Sequence, residues 1–82
     1  MSVTCVVVRG ETWFTLEGAA DCFGVELAWV REVYAFGLLG EGESVEGTIA
    51  IAAAALDRIA AVRRLELQLG LDLEAIALIL GE

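Results

Sequence analysis

Apolar residues along this chain change their spacing three times, and each change predicts an element. Val3–Val8 is a β-branched run that reads as a strand, Arg9–Glu11 as a turn, and Thr12–Thr15 as a second short strand. From Thr15 to Cys22 the pattern becomes helical. Thr15 stands at the N-cap and Glu17 falls in the first turn, where its charge suits the helix dipole. Gly24 breaks this helix with a residue that takes positive φ freely. Val25 and Leu27 then seat a second helix whose inward face is Val30, Val33 and Phe36. Gly37 closes it in the left-handed position, with Leu38 and Leu39 packing behind.

The outer face of that second helix carries Glu26, Ala28, Trp29 and Glu32, with Arg31 its sole base. Two short helices across a glycine turn form a helix-turn-helix, and in a DNA reader this outer face would enter the major groove. A face with two carboxylates is a poor match for phosphate and base edges.

Residues 40–47 hold three Gly and three Glu, which predicts a solvated loop or degenerate wing. The glycines do not make a phosphate loop, because the spacing is wrong and no Lys follows. Thr48–Leu56 opens a long Ala-rich helix, with a short extended start over Thr48–Ile51 as an alternative. Ile59, Val62, Leu65 and Leu69 continue its apolar stripe, and Arg58, Arg63, Arg64 and Glu66 lie outside. Gly70 ends it. Asp72 caps a last helix whose inner face is Leu73, Ile76, Ala77 and Leu80. Leu78 and Ile79 fall on another face, so a twin subunit or a partner is expected to cover them.

Eighty-two residues predict one domain, 1–82, of modest stability. Thirteen acidic residues against five basic ones, all Arg, give a net charge of −8. That field repels phosphate and attracts basic partners, so DNA is an unfavourable ligand. The chain has no His, and Cys5 and Cys22 are distant in sequence, so neither metal nor cofactor is expected; both thiols read as buried small hydrophobes. Without His or a visible nucleophile–base pair, enzyme activity is not expected. No apolar run is long enough to span a bilayer and no signal peptide is visible, which predicts no membrane association and a cytoplasmic location.

From Thr15 onward the chain resembles the MerR-type winged helix-turn-helix. The family pattern T-I-x-x-x-A-x-x-x-G-V is met by Thr15, Leu16, Ala20, Gly24 and Val25. The exit I-G-L-L is met by Phe36, Gly37, Leu38 and Leu39, and the late L-G-F-S-L-x-x-I by Leu69, Gly70, Leu71, Asp72, Leu73 and Ile76. The resemblance implies a mainly α fold, a MerR-like winged helix-turn-helix with a small N-terminal β element. DNA-reading members carry Arg, Thr and Tyr near the positions of Ala28, Trp29, Glu32 and Val33, and a basic wing; this chain keeps only Arg31. A short acidic chain of this pattern looks like the CbpM chaperone-modulator family, whose final helix Leu69–Leu78 resembles and whose second helix Glu32 and the Gly37–Leu39 exit fit. That resemblance implies a non-enzymatic adaptor that binds the J-domain of a DnaJ/CbpA-type co-chaperone, with Glu26, Trp29 and Glu32 as the contact face and Leu78 and Ile79 extending it or forming a homodimer. A MerR-type DNA-binding regulator is the alternative.

Overall fold

The computed structural model describes residues 5–80. Two β-hairpins and four helices alternate in the order β1 (Cys5–Val8), β2 (Glu11–Thr15), α1 (Leu16–Phe23), α2 (Leu27–Ala35), β3 (Glu43–Val45), β4 (Thr48–Ala52), α3 (Ala54–Leu69) and α4 (Leu73–Leu80). Val3 and Thr4 of the predicted first strand lie outside the described residues.

Both hairpins close in the same way. Arg9 and Gly10 have φ of 51° and 82°, and Glu46 and Gly47 have φ of 49° and 79°. Two successive positive-φ residues form the two-residue turn whose twist matches right-twisted strands, and Gly in second place removes the strain there. The hairpins join through antiparallel β2 and β4, giving one sheet in the order β1-β2-β4-β3. The register sets Phe14 opposite Ile51 and Thr15 opposite Ala50. Arg9, in the first turn, forms an ion pair with Glu43 of β3.

This architecture corrects the predicted fold class. The protein is α+β, with a four-stranded antiparallel sheet, and not a mainly α winged helix-turn-helix with a small β element. Two local corrections make the difference. Residues 43–45 form a strand in place of a solvated loop, and residues 48–52 form the inner strand β4, which follows the extended-start alternative over Thr48–Ile51 and replaces the first turns of a long helix. Alanine favours helix, but Ile49 and Ile51 are β-branched, and the Glu46–Gly47 turn returns the chain alongside β2 and β3, whose ladders it completes. Helix α3 therefore begins only at Ala54, with no side-chain cap.

The helix-forming signals elsewhere operate as expected. Thr15 Oγ1 accepts from Gly18 N at 2.9 Å and caps α1. Gly24, at φ 63°, ends α1, its N–H directed to the carbonyls of Ala20 and Asp21. Gly70, at φ 66°, ends α3, and Asp72 Oδ1 accepts from Ala75 N at 2.9 Å at the start of α4. Thr15→Ala should therefore cost about 1 kcal/mol, the usual value of such a cap, read as a lower midpoint in urea unfolding with an unchanged slope.

One apolar core unites these elements: Leu16, Ala19 and Ala20 of α1, Val30 and Val33 of α2, Leu38 and Leu39, Ile51 of β4, Ile59 and Val62 of α3, and Leu73 and Ile76 of α4. Four expected core positions lie outside it. Phe36 caps α2 and is exposed, Leu69 is exposed in the last turn of α3, and both thiols are at the surface. Cys22 misses the inward stripe of Leu16, Ala19 and Ala20, and Cys5 begins an edge strand.

Candidate partner-binding surface

Helix α2 is held by its two buried valines, which fixes the direction of everything else on it. With Val30 and Val33 fully enclosed, Glu26, Ala28 and Glu32 turn outward and are exposed, while Trp29 lies at the boundary, half-buried and packed against the core. The Gly24 turn sets the start of the helix, and Val25 N donates to Ala20 O at 3.0 Å. Glu26 is the N-cap residue, yet its side chain makes no capping bond.

Two grooves flank Trp29. One, of about 440 Å³, is lined by Gly24, Val25, Glu26, Ala28, Trp29, Glu32 and Arg63. The other, of about 370 Å³, runs between α2 and the start of α4 and is lined by Trp29, Glu32, Phe36, Glu66, Asp72, Leu73 and Glu74. Trp29 and Glu32 border both, so the two grooves are adjacent and share a wall. Glu26, Glu32, Glu66, Asp72 and Glu74 supply five carboxylates along them, against the single guanidinium of Arg63. Among the described residues, no group of three or more His, Cys, Asp or Glu is placed to hold a metal ion.

Trp29 is fixed by α3. Its Nε1–H donates to Glu66 Oε2 at 3.2 Å, and Arg63 lies over the ring with Cζ 5.3 Å from the centroid. Arg63 Nη1 in turn donates to Glu66 Oε1 at 3.0 Å. The indole is thus a fixed wall of the groove, with one edge in the core, and not a free knob.

The structure brings Glu26, Trp29 and Glu32 together on one groove. Leu78 and Ile79 line neither groove; they stand on α4 at 82% and 59% exposure. Leu78 is one helical turn beyond Glu74, so it continues the groove-lining face of α4. Phe36, Arg63, Glu66, Asp72 and Glu74 line the grooves without having been legible as site residues in the sequence. Phe36 continues the spacing of Val30 and Val33, which predicts an inward position, but the helix ends there. Glu66 and Arg63 fall on the solvated face of the predicted helix, although their i,i+3 spacing marks them as a pair. Asp72 and Glu74 carry only the local signal of a helix cap and a first-turn charge.

No family model, curated protein or solved structure matches this chain. No helix among the described residues is long and apolar enough to cross a membrane.

Proposed function

We propose that the chain is a non-enzymatic adaptor that binds the J-domain of a DnaJ/CbpA-type co-chaperone and modulates its activity. The observation that carries this reading is the pair of adjacent grooves flanking Trp29, both lined by carboxylates and one by the exposed Phe36. A J-domain presents a basic helix, and an acidic groove with an aromatic wall complements such a helix in charge and in shape. The net charge of −8 steers the same partner from a distance. The resemblance of residues 69–78 and of the Gly37–Leu39 exit to CbpM-type modulators supports the same partner. Leu78 and Ile79 extend the contact along α4 in this reading.

Titration calorimetry with a purified J-domain protein tests it. A saturable complex is expected, with affinity falling as salt is raised from 50 to about 300 mM, since the screening length shortens from about 14 Å to about 6 Å over this range. Random duplex DNA should show no binding under the same conditions. A chain that binds the duplex and ignores the J-domain would overturn the proposal.

A further inference from the structure

Arg63 makes the groove more specific than its charge alone. Its guanidinium already occupies a site of defined chemistry, with the face of Trp29 on one side and the Glu66 carboxylate on the other. Glu66 is held in place by the indole N–H, and Arg63 itself lines the groove that a partner would enter. The arrangement is weakly held: Arg63 makes one contact to Glu66, not a two-pronged one, and its side chain is 42% exposed. A half-exposed i,i+3 pair of this kind is easily displaced. Arg31 and Arg64, by comparison, are exposed and outside both grooves.

We infer that Trp29 and Glu66 form a guanidinium-binding site, and that Arg63 is its internal occupant, displaced by an arginine of the basic partner. The inference deepens the adaptor reading above and rests on it for the partner. The site selects arginine over lysine. A planar guanidinium stacks on an indole while directing N–H groups at a carboxylate, whereas an ammonium is a compact, strongly hydrated point charge. Displacement leaves Arg63 free to swing into water, so the partner's arginine competes against a tethered side chain. Removing that competitor raises affinity.

The test compares the parent with Arg63→Gln and Arg64→Gln, each titrated with a purified J-domain, with hexa-arginine and with hexa-lysine. Both variants lose one positive charge, so Arg64→Gln measures the general electrostatic gain. Arg63→Gln should bind the J-domain and hexa-arginine about fivefold more tightly than Arg64→Gln does, a gain of the size expected for a weak exposed pair. Hexa-lysine should show no difference between the two variants. Melting curves confirm that both remain folded. If the parent binds the J-domain but Arg63→Gln gains no more than Arg64→Gln, or binds more weakly, the internal-occupant inference is wrong and the adaptor reading stands. If hexa-arginine gains selectively while no J-domain binds, the guanidinium site stands and the J-domain reading falls. If neither probe binds any of the three proteins, both fall.

Discussion

Glu32→Lys is expected to weaken J-domain binding by about tenfold, and Glu26→Lys with Glu32→Lys by about a hundredfold, or about 2.7 kcal/mol. Both carboxylates are exposed, and both border the same groove. Each reversal raises the net charge by two, so the double variant moves from −8 to −4 while placing two positive charges where a basic helix would lie. Most of the loss should appear in the association rate, and the normal fall of affinity with salt should flatten or reverse. The fold is expected to tolerate Glu32→Lys, since Glu32 is exposed on the helix. Glu26 stands at the N-terminus of α2, where a positive charge opposes the helix dipole, so its reversal should cost up to about 1 kcal/mol of stability. Surface plasmon resonance at two ionic strengths, paired with melting curves, separates these effects. Unchanged association rates in the double variant would place the interface elsewhere, with Leu78 and Ile79 the next surface to alter. Trp29→Ala is a less clean probe, because the indole packs on the core and its loss would lower stability and reshape the groove together.

The helices that carry this surface were legible because their boundaries are written in single residues. Thr15, Gly24, Gly37, Gly70 and Asp72 each act through a side chain or a backbone angle available at that position alone. The face of α2 followed from those boundaries together with Val30 and Val33. The sheet was less legible because its decisive partners are far apart in sequence. Nothing local to Thr48–Ala52 states that β2 waits 37 residues upstream to pair with it, as Phe14 opposite Ile51 shows. The second turn did carry a signal, since Glu46-Gly47 repeats the polar-then-glycine pattern of Arg9-Gly10. Surrounded by other glycines and glutamates, it read as loop composition. The groove was half legible for the same reason: Glu26, Trp29 and Glu32 share one helix, whereas Glu66 and Glu74 reach the groove only through the packing of α3 and α4.

The reassignment of residues 48–52 leads to the largest expected loss of stability. In β4, Ile51 is fully buried, opposite Phe14 and within the core shared by all four helices. Ile51→Ala should cost about 3 to 4 kcal/mol, from lost transfer energy and the cavity left behind. A domain of this length holds about 4 to 12 kcal/mol in total, so the variant should melt about 15 °C lower or more. Ile49, 38% exposed on the same strand, should cost far less when changed to Ala, about 1 kcal/mol. Burial alone does not prove a strand, so a backbone probe completes the argument. In a helix starting at Thr48, Ala50 would lie in the first turn, where an N–H has no intrahelical partner and proline is tolerated. In the structure Ala50 is instead fully buried on an inner strand, between Thr15 of β2 and Glu43 of β3. Proline there removes a ladder donor and forces a ring between two strands. Ala50→Pro is therefore expected to abolish cooperative folding, seen as loss of the unfolding transition by circular dichroism. A folded Ala50→Pro variant with near-parental stability would return residues 48–52 to the helix and remove the sheet that positions α1 and α3.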